Sequence, residues 1–235
     1  MKRVLRRGLA VIVVAALTAA LAPGLLLLVF RFVDPPTTAF MTHARQQFAD
    51  NGQATTLYQR WVPIENMAAC MPLAVVASED QTFPDHHGFA WNAIEKALAA
   101  NARGNGMRGA STITQQTSKN LFLWPARSYI RKGIEAYVTV WMTLVWPKSR
   151  VLEVYLNVAQ FGPRVFGVDQ AARRFFDRAP GALTQRQCAS LAAVLPAPTE
   201  YNAAHPSGHV ASRIDWIQGQ MRNLGGGYLD SVLKP

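Results

Sequence analysis

Two cysteines in 235 residues, Cys70 and Cys188, are too few for a disulfide scaffold, and no Cys-x-x-Cys or Cys/His cluster has zinc-ligand spacing. Their apolar neighbours (AACMPL and RQCASLAA) suit small buried hydrophobes, and a bond between them is left open. Also missing are a Walker-type glycine loop, a Gly-x-Gly-x-x-Gly run after a strand, His-Glu-x-x-His and Gly-x-Ser-x-Gly. Those gaps remove many common enzyme classes. Ser231 to Lys234 imitates a Ser-x-x-Lys nucleophile motif, but it lacks the partner motifs and reads as chance. Period-two alternation is scarce, so little sheet is expected. Acids are scarce too: 14 against 24 basic residues, a formal charge of +10. Such a balance favours an anionic partner, whether nucleic acid, acidic headgroups or a phosphate-bearing substrate. A merely solvated basic surface explains it equally well.

What is present begins with a run of 22 residues, Leu9 to Phe30, without a charged side chain. At 1.5 Å per residue it spans a hydrocarbon core of roughly 30 Å. Lys2, Arg3, Arg6 and Arg7 stand immediately before it, and the positive-inside rule keeps that end in the cytoplasm. Everything after Arg31 is then exported. A cleaved signal peptide is the rival reading, with Ala20 to Ala22 as the cleavage site; the run continues eight residues past it, and an h-region is only ~7–15 residues long. The expected organisation is a basic tail (1–8), a transmembrane anchor (9–31), a membrane-proximal linker (32–60) and one catalytic domain (61–235).

The exported part reads as mostly α-helical. A short helix is expected over Ala39 to Asp50 and an extended entry over Trp61 to Ile64. Helices follow from Ala90 to Arg103, from Ser111 to Leu123 with Thr112 and Gln115 spaced as a capping box, and from Ser128 as N-cap to before Pro147. Another, capped by Ser149, carries Val151, Leu152, Tyr155, Leu156 and Val158. Val168 to Phe176 forms one more. Thr184 and Gln187 open a helix that stops at Pro196. Val210, Ile214, Ile217, Met221 and Leu224 share a last apolar face that ends at Gly225.

Chemistry-bearing residues concentrate in one stretch. Glu79 and Asp80 close an apolar run, Leu73 to Ala77, where a carboxylate partly out of water makes a better base. The bland alternative is a pair that caps a helix; His86 or His87 alone reads as a hydrogen-bonded core histidine. Gly109 to Asn120 (GASTITQQTSKN) is unusually rich in hydroxyls and amides, a composition suited to anions and sugar hydroxyls at a helix N-terminus, or else to a polar exposed face. Arg127, Arg131, Lys132 and Glu135 follow. Arg131 and Glu135 make an exposed ion pair on the plain reading; with Lys119 the cations suit a diphosphate.

In order, EDQTFPDHHGF (from Glu79), GASTITQQTSKNLFL (from Gly109), RKGIE (from Arg131), LEVYLNVAQFGPRVFGVDQAARRFF (from Leu152) and ASLAAVLPAPTEYN (from Ala189) resemble the five motifs of the peptidoglycan glycosyltransferase family. The resemblance covers Ile64 to Asn202 and is nearest to the monofunctional members. It implies a lysozyme-like, two-lobed helical fold behind one N-terminal transmembrane helix, with the smaller lobe dipping into the membrane. It also implies a bacterial inner-membrane enzyme, its catalytic domain periplasmic, that polymerises lipid II by inverting β-1,4 transfer and releases undecaprenyl diphosphate. Carried over by position, Glu79 is the general base and Glu135 the second catalytic carboxylate. Lys119 and Arg127, with Lys132 close by, surround the diphosphate. Ser111, Gln115 and Gln116 line the sugar sites, and Asn157 shapes the cleft. The implied partners are lipid II, the growing glycan strand, membrane lipid and other cell-wall synthesis proteins, with no nucleic acid. The resemblance fixes no cofactor; a divalent metal, Mg or Mn, is often invoked at this family's diphosphate.

The chain departs from the pattern at Ala90, where an acid is common, at Phe175 in place of Tyr, and at Pro163 and Arg164 in a loop usually built from Asp and Gly. Two rival functions stand beside the resemblance. A lytic glycosidase of similar fold has no need of the Lys119, Arg127 and Glu135 cluster. A non-catalytic glycan-binding scaffold tolerates loss of Glu79.

Overall fold

The computed structural model describes residues 2–102, 111–126 and 128–234. Its first element, α1 (Lys2–Phe30), contains a stretch, Arg6–Phe30, long and apolar enough to cross a membrane. The segment after it does not hang loose. Thr38 caps α2 (Ala39–Asp50) by accepting from the Met41 N–H, and Met41 and Ala44 enter the core.

Next comes α3 (Cys70–Glu79), whose residues Met71 to Ala77 are all buried. Being apolar on every side, it carries no 3.6-residue stripe, and the sequence reveals it only as a short hydrophobic run. Three helices then stand where the patterns place them: α4 (Trp91–Ala102), α5 (Ile113–Phe122) and α6 (Tyr129–Val145). The expected last residue of the first, Arg103, lies outside the described residues. Thr112 and Gln115 form the capping box of α5, and Ser128 caps α6 through the Arg131 N–H.

The following helix, α7 (Lys148–Val158), begins earlier than expected, with Pro147 as N-cap and Ser149 inside the first turn. Pro147 fits that place because it brings no N–H and its own φ is fixed. A two-stranded antiparallel hairpin, β1 (Gln160–Gly162) and β2 (Val165–Phe166), is too short to leave an alternating pattern. It turns the chain into α8 (Val168–Phe176), whose entry requires Gly167: φ is +74°, and a Cβ would lie 2.6 Å from the Asn157 carbonyl oxygen. Then come α9 (Gln185–Val194), with Thr184 and Gln187 as a second capping box, α10 (Gly208–Leu224) and the short α11 (Asp230–Leu233).

The protein is therefore mostly helical, with α3 at its centre. One side of α3 packs on α9 and α10, whose buried faces are Cys188 to Val194 and Val210, Ile214, Ile217 and Met221. A second group stacks α5 between α6 and α7, and α1 lies along α6. Cys70 and Cys188 form a disulfide that joins the start of α3 to α9 across 118 residues. Such a bond persists in an oxidising compartment.

Because the bridge closes so long a loop, replacing Cys70 by Ser is expected to cost about 2–4 kcal/mol of stability. Denaturant unfolding of the detergent-solubilised protein, with and without reductant, measures this. Reduced wild type and the variant are expected to coincide; equal stability of oxidised wild type and variant would deny the bridge a stabilising part.

Candidate active site

Glu79 is the last residue of α3 and reaches out of the core with its side chain 14% exposed. The carboxylate is thus partly out of water and held by donors: Ser78 Oγ (2.9 Å) and Arg213 Nη2 (3.2 Å) donate to Oε1, and Gln116 Nε2 (3.1 Å) donates to Oε2. Gln116 is oriented in turn by the Tyr155 hydroxyl, which donates to its Oε1 at 2.9 Å. Burial beside Glu79 and Asp80 pushes the Tyr155 phenol well above its ordinary value, so it stays a neutral donor.

Asp80 has a different task. Both its oxygens lie 2.9 Å from His86 Nε2, and Oδ2 accepts from the Ile113 N–H, the first residue of α5, at 3.0 Å. The Glu-Asp pair thus divides: Asp80 caps a helix from a distance, while Glu79 faces an open cleft of about 210 Å³ bordered by Gln81, Thr82, Ala90, Ala93, Ser111 and Thr112. His86 is the hydrogen-bonded core histidine, and His87 is exposed.

Most of the polar run on α5 faces the protein's own helices. Thr114, Gln115, Thr117, Ser118 and Asn120 are buried. Thr117 bonds back to the Ile113 carbonyl, and Thr139 of α6 donates to Ser118. Small hydroxylated side chains let the helices approach while satisfying their own polar groups. Gln115 gives its side-chain oxygen to the cap, accepting from the Thr112 N–H at 3.0 Å. Asn157 is fully buried and joins Val62 in both directions, its Oδ1 accepting from the Val62 N–H and its Nδ2 donating to the Val62 carbonyl. Ser111 is exposed and accepts from Lys132 at 3.0 Å.

The cations gather round Glu135. This carboxylate is 2% exposed and bonded by Arg131 Nη1 at 2.6 Å and by Lys132 Nζ. It is therefore no exposed ion pair. Lys119, on the neighbouring α5, senses the same carboxylate and stands 5.2 Å from the Phe40 ring centroid. Burial pushes its ammonium below the ordinary lysine value of 10.5, Arg131 and Lys132 push the same way, and Glu135 and Glu79 pull against them. Three cations against one carboxylate leave a positive surplus, and the Arg131 Nε is buried without a partner among the described residues. Arg127 lies outside the described residues. The same group does not suit a divalent metal. Its one carboxylate is already engaged by two cations, and among the described residues no three His, Cys, Asp or Glu side chains come together as ligands.

Arg131 reads in the sequence both as a helix ion pair and as one of the cations suited to a diphosphate. One residue beside Glu79 escapes that reading. Arg213 lies on α10, beyond the motif-bearing stretch; its signal was a basic residue at the edge of the apolar stripe, next to Ile214.

Residues 46–222 match the family described as Transglycosylase. Biosynthetic peptidoglycan transglycosylases are similar along nearly their whole length. That of Xylella fastidiosa (strain M23) is 46% identical over 93% of this chain and 91% of its own. That of Xanthomonas campestris pv. campestris (strain B100) is 46% identical over 96% and 93%. That of Xanthomonas oryzae pv. oryzae is 48% identical over 94% and 91%.

Arg213→Met should leave the fold intact and lower turnover roughly ten- to a hundredfold, since it removes one charge-assisted bond of about 1.5–3 kcal/mol from Glu79. Arg213→Lys should recover part of the loss. Steady-state kinetics beside a melting curve checks this, and unchanged kcat in the Met variant would remove Arg213 from the site.

Proposed function

The chain belongs to the transglycosylase family, and on that premise we propose that it polymerises lipid II into glycan strands, with Glu79 as general base and Lys119, Arg131 and Lys132 as the cradle of the departing diphosphate. Glu79 takes the proton of the acceptor sugar's 4-hydroxyl. The freed oxygen pair attacks the anomeric carbon of the donor strand from the face opposite the diphosphate. That carbon–oxygen bond breaks, its electrons leave on undecaprenyl diphosphate, and configuration inverts. Arg127 joins the cradle by its place in the family motif.

The observation that carries this reading is the pairing of two electrostatic environments. Glu79 is surrounded by hydrogen-bond donors that keep it oriented as an acceptor. A cationic group gathered round the buried Glu135 lies beside it on α5 and α6, where Lys119 also feels Glu79. A diphosphate leaves as a stabilised anion and needs positive charge more than a proton. A hydrolase acting on a sugar leaving group needs an acid instead. Asp80, the other acid at the cleft, is engaged at both oxygens by His86 and α5.

The proposed setting is the bacterial inner membrane. Lys2, Arg3, Arg6 and Arg7 hold the N-terminus in the cytoplasm, α1 spans, and the domain works in the periplasm, where the Cys70–Cys188 bond is maintained.

Purified protein with labelled lipid II is expected to yield polymer, and Glu79→Gln to lose activity by on the order of 10²–10⁴-fold while staying folded. Polymerisation by that variant at the wild-type rate would remove Glu79 as base. A pH–rate profile tests the cradle. Lys119 attracts the diphosphate only while protonated, so activity should decline with rising pH from below 10.5, the ordinary lysine value. Lys119→Arg should shift that alkaline limb upward. If the limb does not move, it belongs to another group; Lys148, also lowered by burial, is the nearest alternative.

A further inference from the structure

A membrane tether needs only length and hydropathy, yet α1 is fitted to the domain residue by residue. Pro23, Gly24, Leu27 and Phe30 turn one face toward the protein, while Leu21, Leu25, Leu26, Leu28 and Val29 remain exposed. At Gly24 the fit is closest. A Cβ there would lie 2.6 Å from Trp141 Cε3 and 2.9 Å from two more atoms of the indole, the body of a ring already packed into α6. Within lipid there is no hydrophobic gain in bringing helices together, so association depends on close packing at small residues and on hydrogen bonds.

Hydrogen bonds accompany the contact along its length. Tyr137 donates to the Ala20 carbonyl, and Trp146 Nε1 donates to the Leu27 carbonyl at 2.6 Å. At the end of α1, where helix carbonyls lack partners, Arg150 donates twice to the Phe30 carbonyl, at 3.1 and 2.9 Å. Arg31, just past α1, answers by donating to the Val145 carbonyl at 2.7 Å. Of these partners, Tyr137, Trp141 and Val145 lie on α6, the helix that carries Arg131, Lys132 and Glu135; Trp146 is its C-cap and Arg150 stands on α7.

We infer that Gly24 and Trp141 are positioning residues. By seating the span on α6 they fix the height and orientation of the cationic cradle relative to the bilayer in which a lipid-linked substrate lies. Turnover therefore depends on the identity of the span at this contact, and not only on its presence. This inference rests on the membrane setting and substrate proposed above. Leu in place of Gly24 pushes α1 away from Trp141 while keeping the span apolar, so insertion is preserved and registry is lost.

The test uses the full chain in vesicles, with wild type, Gly24→Leu, Trp141→Ala and the double variant. Two readouts are taken on each: turnover of lipid II, and hydrogen exchange of the α6 backbone over residues 129–145. Gly24→Leu should remain membrane-bound, lose on the order of ten- to a hundredfold in kcat with KM little changed, and exchange faster in α6. Removing the indole in the double variant should restore much of both. Wild-type turnover and wild-type exchange in Gly24→Leu would overturn the inference, as would a loss that the double variant does not recover. Faster exchange in Gly24→Leu than in wild type, where wild type itself makes no polymer, would uphold the seat and refute the proposed substrate instead.

Discussion

The site is organised around one buried carboxylate. Glu135 lies at 2% exposure on α6, an arrangement with a desolvation cost of several kcal/mol unless it is compensated. Arg131 and Lys132 supply the compensation, and Lys119 stands near enough on α5 to feel the same charge. A carboxylate that holds cations together also uses up part of their field. What remains is a compact positive surplus in a place where burial weakens screening, and burial already pushes the Lys119 ammonium down. The cations are thus held near one another by an acid whose side chain bonds only Arg131 and Lys132 among the described residues.

The second half of the site depends on a different division. Glu79 and Asp80 are neighbours in sequence, but α3 ends between them. Asp80 closes the helix and turns inward to His86 and the first N–H of α5, which ties α3 to α5. Glu79 is left at the edge of the cleft, held by one neighbour, one side chain from α5 and one from α10. Glu79 and the cationic group are therefore both tied to α5, which contributes Gln116 to the one and Lys119 to the other.

Much of this was legible from residues alone. Strong caps located α5, α6 and α9, because Thr112 with Gln115, Ser128, and Thr184 with Gln187 are local signals that tertiary packing did not override. Ser149 failed as a cap because Pro147 before it was the better helix start. The buried α3 was obscured since burial on all sides erases periodicity. The Thr- and Gln-rich face of α5 misled in a more instructive way: polarity suggested solvent or ligand, whereas the hydroxyls satisfy one another between helices. Gln115, carried over with the sugar sites, and Asn157, carried over as shaping the cleft, are both engaged within the protein, Gln115 at the Thr112 cap and Asn157 on Val62. Arg213 could not have been assigned, because its partner lies 134 residues away and only folding brings α10 to α3.

The claim that Glu135 organises the cradle, rather than diluting it, can be read from anion binding. A short-chain polyprenyl diphosphate titrated calorimetrically into detergent-solubilised wild type and Glu135→Gln gives the comparison directly. Simple Coulomb attraction predicts that removing a negative charge strengthens binding of the anion. The organising role predicts the reverse: the amide cannot hold Arg131 and Lys132 in place, and affinity should fall at least about tenfold, the equivalent of one charge-assisted bond of about 1.5 kcal/mol. Equal or tighter binding by Glu135→Gln would contradict the account.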